Sequence, residues 1–301
     1  MFIQSVYSNK IQYRLDSPYK PKKNVYKGQL HCHTLRSDGK HSPEQVMGFY
    51  YKAGYNFLVF TEHNQLGRRV IPAIIHKSPY KNFIMIPGYE IFSEGHRRPY
   101  FYMHHILGIG ITKIPPMKGA QYVIDYINKH GGIPILCHPE WRGGFHYTLS
   151  TLEKLRGYMH IERTVKWDYL LSKGKKVFMI RSDDFHALKY RHFNKGFVMV
   201  YSDKLDQKNI LKNIKSGNFY SSNGAIIKSI KVEHDRITIE APRKSYIAFH
   251  CFAGCRVYAK WRVKNLTYKI EGNESYIRAR VRYKVNGRYR YAETNPIFIR
   301  R

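Results

Sequence analysis

A series of short apolar runs, separated by helical patterns, constrains the fold of this 301-residue chain more than any other feature of its sequence. Each run is rich in β-branched and other large apolar residues, which is typical of strands that are buried on both faces. The runs are FLVF (57–60), NFIMI (82–86), HHILGIGI (104–111), IPILC (133–137), VFMI (177–180) and GFVMVY (196–201). Because helical patterns lie between several of these runs, the sequence predicts an α/β fold with a parallel sheet or barrel.

The segment after residue 41 shows how one of these helices is specified. Ser42 is a favourable N-cap, Pro43 suits the first helical position, and Gln45 completes a capping box. Gly54 stands where a helix would end. The other helical patterns are GAQYVIDYINKHGG (119–132), WDYLLSKGKK (167–176) and DQKNILKNIKSGN (206–218).

The pattern changes near residue 224, after which alternating strand-like segments and turns replace the helical patterns. This change predicts a small antiparallel β-sandwich over residues 224–301. We expect it to follow a barrel domain over residues 25–223, with an N-terminal extension, residues 1–24, that packs on the barrel.

One strand-like segment, YIRARVRYKV (276–285), alternates apolar residues with the cations Arg278, Arg280, Arg282 and Lys284. A period of two places these cations on one face of a strand. A solvated outer face is the simpler interpretation, and an anion-binding strip is the alternative.

The chain is strongly basic, with 52 Lys and Arg residues against 21 Asp and Glu residues and a formal net charge of +31. Such an excess attracts polyanions and anionic substrates; a compositional bias of the source genome is the alternative explanation. The sequence has no apolar run long enough to span a membrane, no secretory signal and only four scattered cysteines. We therefore expect a cytoplasmic protein without a membrane partner.

Residues that can bind metal ions stand beside most of the apolar runs, mainly where the runs end. They are His31, His33, His63, Glu90, His104, His105, His138, Asp184 and His186. In a parallel α/β barrel the carboxyl ends of the strands form the site, so these side chains should meet at one edge. A single histidine on a strand is more often a core residue, but the recurrence favours a metal centre. Imidazole and carboxylate ligands suit Zn, Fe and Mn ions.

Strand geometry narrows this set. Successive side chains of an extended segment point to opposite sides, so His31 and His33 share one side while Cys32 points away, towards the core. For the same reason only one of His104 and His105 can face the site.

The motifs LHCHTLRSDG, TEHN, PGYE, HHILGIG, CHPE and SDDFH, in this order, resemble those of the polymerase and histidinol phosphatase (PHP) domain. The resemblance covers about residues 25–223, and the remaining chain is similar to the β-rich C-terminal part of CehA/McbA-like metallohydrolases. It implies a distorted seven-stranded β/α barrel that binds two or three divalent metal ions (Mn, Zn or Fe).

The resemblance also implies a distribution of ligands. One ion would be held by His31, His33, Glu90 and Asp184, a second by Glu90, His105 and His138, and a third by Asp38, His63 and His186. His105 is preferred to His104 because it directly precedes the ILG run, as the ligand does in the family. Glu62 stands where the family usually has Asp, and we expect it to orient His63.

The function implied is that of a metal-dependent phosphoesterase. A metal-bridging hydroxide, held by Glu90, His31, His33, Asp184 and His138, would attack a phosphomonoester or phosphodiester, including a nucleotide or oligonucleotide. Arg142, Arg181 and Arg36 are candidates for binding the phosphate oxygens. Hydrolysis of a carbamate or amide-type bond is one alternative, and a basic nucleic-acid-binding module with structural metal ions is another.

Overall fold

The computed structural model describes residues 14–66, 69–70, 77–93, 104–116, 118–141, 147–190, 192–252 and 254–300. The helices are α1 (Pro43–Lys52), α2 (Ala120–Lys129), α3 (Leu149–Lys154), α4 (Trp167–Ser172) and α5 (Gln207–Lys215). The strands up to residue 222 are β1 (Arg14–Asp16), β2 (Asn24–Gln29), β3 (Phe57–Phe60), β4 (Gln65–Leu66), β5 (Arg69–Val70), β6 (Ile84–Phe92), β7 (His105–Ile109), β8 (Ile133–Leu136), β9 (His160–Glu162), β10 (Phe178–Ile180), β11 (Phe197–Ser202) and β12 (Phe219–Ser222). The later strands are β13 (Ser229–Glu233), β14 (Arg236–Cys251), β15 (Cys255–Lys269), β16 (Tyr276–Val285), β17 (Arg288–Thr294) and β18 (Ile297–Arg300).

Seven neighbouring strands of one large sheet lie in the order β2, β3, β6, β7, β8, β9 and β10. The pairs within β2–β3–β6 and within β8–β9–β10 are parallel, whereas β7 runs antiparallel to both β6 and β8. Beyond the ends of β2 and β10, an isolated parallel bridge joins Cys32 to Phe185. The predicted α/β fold with parallel pairing is confirmed, and closure into a seven-stranded barrel stays a prediction.

Strand β3 shows how these strands are packed. Phe57 and Val59 belong to an apolar cluster shared with neighbouring strands, whereas Leu58 and Phe60 pack in a second cluster with Val46 of α1. Both faces of the strand are therefore buried, as its uninterrupted apolar run predicts. Burial of each such side chain stabilises the fold by roughly 1.5–3 kcal/mol relative to exposure.

The predicted helices are all present, and α1 begins at the predicted cap. The Ser42 side chain accepts a hydrogen bond from the Gln45 amide at 3.3 Å, and the Gln45 side chain accepts one from the Ser42 amide at 2.9 Å. Gly54 follows the helix end with a φ of 75°, a conformation that favours glycine. Helix α3 and strand β9 were not predicted from the sequence.

Strands β13 to β18 pair antiparallel. Strand β17 also pairs with β12, so backbone hydrogen bonds connect this region to the rest of the sheet. Among the described strands β15 pairs only with β14, which makes it an edge strand. The sandwich arrangement and the segment boundaries at residues 24 and 223 stay predictions; β1, from the N-terminal extension, pairs with β18.

The interpretation of Arg278 as part of a solvated face is wrong. Its side chain is only 3% exposed and forms two hydrogen bonds to Asp168 of α4, at 2.7 and 2.5 Å. The guanidinium also lies 5.0 Å from the ring centroid of Trp167. Period two correctly places Arg278 on a face with Arg280, but α4 covers that end of the face.

In the described ranges, no helix is long and apolar enough to cross a membrane.

Candidate metal centre

The strand ends bring the predicted metal-binding side chains to one edge of the sheet. His105 is the first residue of β7, yet it reaches this edge because β7 is antiparallel to β6 and His105 pairs with Phe92. Nine side chains converge here, which we call the His–carboxylate cluster: His31, His33, Asp38, His63, Glu90, His105, His138, Asp184 and His186. His104 instead places its ring 4.4 Å from that of Tyr147.

Glu90 lies at the centre of the cluster and is only 1% exposed. Its Oε2 lies 3.1 Å from His31 Nε2 and 3.0 Å from His33 Nε2. Its Oε1 lies 2.6 Å from His105 Nδ1 and 2.8 Å from His138 Nε2. Because imidazoles approach both carboxylate oxygens, Glu90 is suited to bridge two cations.

Asp184 and Asp38 complete the cluster on two sides. Asp184 Oδ1 lies 3.1 Å from His31 Nε2 and 3.4 Å from His33 Nε2. Asp38 Oδ2 lies 3.3 Å from His63 Nε2 and 3.2 Å from His186 Nε2. The structure thus brings together the residues predicted to hold the first ion and those predicted to hold the third.

The residues predicted to hold the second ion are arranged less simply. Both His105 and His138 contact Glu90, but the groups whose possible ligand atoms all lie within 4.8 Å of one another place His105 with His63, and His138 with Cys137. The Cys137 thiol is buried, which raises its pKa well above the usual value, and lies 3.5 Å from Glu90 Oε1. Assignment of ligands to individual ions stays a prediction.

The geometry and charge of the cluster fit bound divalent cations. The Nε2 atoms of His31 and His33 lie 3.2 Å apart and both face Glu90; ligands of one ion about 2.1 Å away are separated by about 3 Å. Burial disfavours the charge of His33, but hydrogen bonds to Asp184 and Glu90 raise its pKa to about 10. The buried carboxylates therefore require positive charge beside them, which protonated imidazoles or divalent cations can provide.

Two residues of the cluster have unusual backbone conformations. The φ angles are 30° at His138 and 48° at Asp184, in the left-handed region that side chains with a Cβ seldom adopt. Such a conformation costs roughly 1–3 kcal/mol and is retained where surrounding contacts require it. His138 follows the end of β8 and Asp184 follows the end of β10, and at both positions the left-handed backbone directs the side chain into the cluster.

Glu162, the last residue of β9, is a functional candidate that the sequence analysis missed. Its Oε1 lies 2.8 Å from His31 Nδ1, and its Oε2 accepts a hydrogen bond from the His138 amide at 2.6 Å. A ring N–H donated to this carboxylate leaves the lone pair of His31 on Nε2, which faces the cluster. The strand-end rule would have found Glu162 had the short strand β9 been recognised.

The two acidic neighbours of cluster residues have structural roles. Glu62 was expected to orient His63, but its carboxylate accepts hydrogen bonds from Thr34 and Ser37 instead, because adjacent residues point to opposite sides. Glu62 therefore holds the turn that carries Asp38. Asp183 accepts hydrogen bonds at 2.7 Å from the amides of residues 194, 195 and 196 and fixes the loop before β11.

A cavity of about 310 Å³ opens beside the cluster. His138 and Glu162 of the site line it, together with three cationic side chains, Arg163, Arg181 and Lys195. The acidic Glu140 also lines it and forms an ion pair with Lys166 at 3.2 Å. Trp141, half exposed, forms part of the rim. The cavity can therefore receive an anionic group directly against the cluster.

The predicted substrate-binding arginines have different positions. Arg181 lines the cavity, and its Nη2 donates a hydrogen bond to Glu293 at 2.6 Å. Arg36 lies in the turn before Asp38 and does not line the cavity. Arg142 lies outside the described residues. Sequence reasoning missed Arg163 and Lys195, which no motif marks.

The fold is similar to the crystal structure of a two-domain protein from Bacteroides vulgatus that contains a predicted PHP-like metal-dependent phosphoesterase. The TM-score is 0.52 at 15% identity, and the alignment covers 96% of this chain and 90% of that one. The predicted resemblance to the PHP domain is thereby confirmed at the level of the fold, and the CehA/McbA-like subgroup stays a prediction.

Two other solved structures align with lower scores. An amidohydrolase from Chromobacterium violaceum gives a TM-score of 0.37 at 15% identity, covering 53% of this chain and 87% of that one. Endonuclease Q bound to a 27-mer duplex with an abasic lesion gives 0.45 at 12% identity, covering 64% and 56%. No protein-family model and no curated protein matches the sequence.

Proposed function

We propose that this chain, with its PHP-like fold, is a metal-dependent hydrolase that cleaves a phosphoester. The observation that carries the proposal is the position of a cavity with three cationic side chains directly against the His–carboxylate cluster. A phosphoryl group combines negative charge with oxygen atoms that both cations and arginines bind. The combination of cluster and cavity therefore favours such a substrate.

The nine side chains of the His–carboxylate cluster would hold two or three divalent ions, with Glu90 as the bridging carboxylate. When bound, Mn, Zn or Fe ions generate hydroxide from water at neutral pH and neutralise charge on phosphate oxygens. The protein contributes the positions of these ligands, and Glu162 contributes the orientation of His31.

The cavity side chains would bind and orient the phosphate. Arg181 is held by Glu293 and is thus positioned before a substrate arrives. Arg163 and Lys195 extend the positive wall towards solvent. Together they would contact the non-bridging oxygens, where charge must be neutralised for cleavage.

The state of the cysteines supports a cytoplasmic location for this activity. All four thiols are free, and three of them, Cys32, Cys137 and Cys251, are buried. Cys251 and Cys255 are register partners between β14 and β15 and are not bonded to each other. Free thiols are characteristic of a reducing compartment.

The proposal is tested with purified protein, a chelator, and Mn²⁺ or Zn²⁺. We expect turnover of p-nitrophenyl phosphate or bis-p-nitrophenyl phosphate that the chelator abolishes and added metal restores. His33→Ala should remove this activity and lower the bound metal measured by elemental analysis. His130→Ala, an exposed histidine at the end of α2, is the matched control and should behave as wild type.

Two results would contradict the proposal. Turnover of a carbamate ester with none of either phosphate substrate would assign the carbamate or amide alternative. Bound metal without hydrolysis of any substrate, together with salt-sensitive nucleic-acid binding, would indicate structural ions in a binding module.

A further inference from the structure

A second basic surface lies on the antiparallel strands of the C-terminal region. The register of neighbouring strands places Tyr246 of β14 and Tyr291 of β17 beside Arg282 of β16, and Tyr289 beside Lys284. Because directly paired residues share a face of the sheet, these aromatic and cationic side chains alternate on one surface. We call it the aromatic–cation face and define it by Tyr246, Trp261, Arg282, Lys284, Tyr289 and Tyr291.

A β-bulge adds Trp261 to this face. Ser245 pairs with Val263 and Ile247 with Lys260, so two residues of β15 lie opposite Tyr246 alone. A bulge of this kind redirects side chains, and the Trp261 and Tyr246 rings lie 4.4 Å apart. Trp261 is nevertheless 59% exposed, and Tyr289 is 49% exposed. Two large aromatic rings are thus available to a ligand.

Arg282 lies among these rings without an acidic partner. Its guanidinium carbon is 4.6 Å from the Trp261 centroid, 4.8 Å from that of Tyr289 and 4.9 Å from that of Tyr246. None of the ion pairs between described residues includes Arg282, and its buried Nε has no hydrogen-bond partner among them. Cation–π contacts therefore hold the guanidinium in place while its charge stays uncompensated.

The charge around the face has one sign. Between residues 243 and 269 the chain contains no Asp or Glu but seven cationic residues: Arg243, Lys244, Arg256, Lys260, Arg262, Lys264 and Lys269. The carboxylate of Glu293, on the neighbouring strand β17, is buried and pairs with Arg280 and Arg181. The strands around the face therefore carry a large excess of positive charge, part of it on the face and part on the opposite side of the sheet.

Alternating cations and exposed aromatic rings match the chemistry of an unpaired nucleic-acid strand, whose phosphates alternate with bases that have free π faces. A duplex hides its base faces within the stack, and a phospholipid headgroup has none. We propose that the aromatic–cation face binds single-stranded nucleic acid, with bases stacked on Trp261 and Tyr289 and phosphates beside Arg282 and Lys284. The inference concerns binding alone and does not depend on hydrolysis at the His–carboxylate cluster.

The test measures binding of a short fluorescein-labelled oligothymidylate by anisotropy, in the presence of a chelator so that hydrolysis cannot interfere. We expect binding that weakens with salt, as contacts to phosphates require. Trp261→Ala should weaken it about tenfold, a loss typical of one stacked base, and Trp261→Phe should retain most of the affinity. Arg282→Ala should also weaken it. Thermal melting of each variant confirms that it is folded.

A matched control separates this surface from the general positive charge of the protein. At the start of α2, far along the chain from this face, the Lys118 ammonium lies 4.5 Å from the centroid of the exposed Tyr122 ring. Tyr122→Ala and Lys118→Ala remove the same chemistry and should leave oligonucleotide binding unchanged.

Several outcomes would overturn the inference. They are absence of binding at low salt, equal effects of the Trp261→Ala and Tyr122→Ala substitutions, and displacement of the oligonucleotide by polyphosphate as effectively as by unlabelled oligothymidylate. Tighter binding of duplex DNA or of vesicles containing phosphatidylserine would overturn it as well. Selective loss in Trp261→Ala with rescue in Trp261→Phe would support stacking.

Discussion

Most side chains of the His–carboxylate cluster are buried, and the cluster combines charges of both signs. The aromatic–cation face carries exposed aromatic rings, and its charges are all positive. In the cluster, Glu90 contacts five imidazoles. Burial acts to raise the pKa of Glu90, but the charge of His31 and the hydrogen bonds from the surrounding histidines lower it well below its usual value. On the face, water solvates Lys284, and aromatic rings surround Arg282. The comparison shows that burial requires compensating charge, while an exposed cation can keep its charge available to a ligand.

Arg278 provides the largest expected effect, because it lies on the same strand as Arg282 but is buried like a cluster residue. Arg278→Ala leaves the Asp168 carboxylate without its cationic partner and should lower the free energy of unfolding by about 3 kcal/mol. Lys284 lies on the same face of β16, six residues after Arg278, and is exposed. Lys284→Ala should change the free energy of unfolding by less than about 1 kcal/mol. Urea unfolding of both variants checks this, and equal losses would contradict the distinction between the two cations.

His160 is the contrasting case to the cluster histidines, because it is buried and its hydrogen-bond partner is a backbone carbonyl and not a carboxylate. Burial lowers its pKa to about 4, and its Nε2 donates a hydrogen bond to the Ile214 carbonyl at 2.8 Å. The histidine of the unfolded chain binds a proton below about pH 6.5, whereas His160 of the folded chain stays neutral down to about pH 4. Protonation therefore favours the unfolded state, and the stability of the fold decreases as the pH falls from about 6.5 to 4.

The loss attributable to His160 should reach about 2 kcal/mol near pH 5. His160→Gln keeps a donor but cannot titrate, so its free energy of unfolding should fall less than that of wild type between pH 7 and pH 5. Urea unfolding at the two pH values isolates the difference. Parallel pH dependence in the two proteins would show that His160 is not responsible.

Substitution of Glu162 tests whether its ion pair with His31, which compensates a buried charge, also supports metal binding and activity. Burial acts to raise the pKa of Glu162, but the charge of His31 and the hydrogen bond to it lower the pKa below the usual value. Glu162→Gln keeps the shape and weakens control of the His31 ring, which should reduce metal affinity or phosphatase activity about tenfold. Metal titration followed by an activity assay measures both, and wild-type values for both would remove Glu162 from the site.

The parts of the molecule that follow from local sequence were predictable. The cap formed by Ser42 and Gln45 depends on residues three apart, and the burial of FLVF follows from its apolar character. The cluster could be found because each member stands beside a strand, so a single geometric rule located residues distant in sequence.

What the sequence could not provide depends on contacts between elements. Glu162 was missed because β9 has only three residues and no apolar run around it. The burial of Arg278 depends on α4, which a period of two cannot reveal. The cavity brings Arg163 together with Lys195 across different loops, and Trp261 joins its face through an irregularity in strand register that alternation alone does not predict.

The exposed edge of the sheet has a consequence for self-association. Strand β15 has 15 residues and lacks a second partner among the described strands, so its free amides and carbonyls could template pairing with another copy of the chain. Its cations, among them Lys260, Arg262 and Lys264, repel an identical edge, and its bulge prevents a flat approach. Neutralising these charges with a polyanion would therefore remove the repulsion that keeps neighbouring molecules apart, and colloidal stability should depend on what the surface has bound.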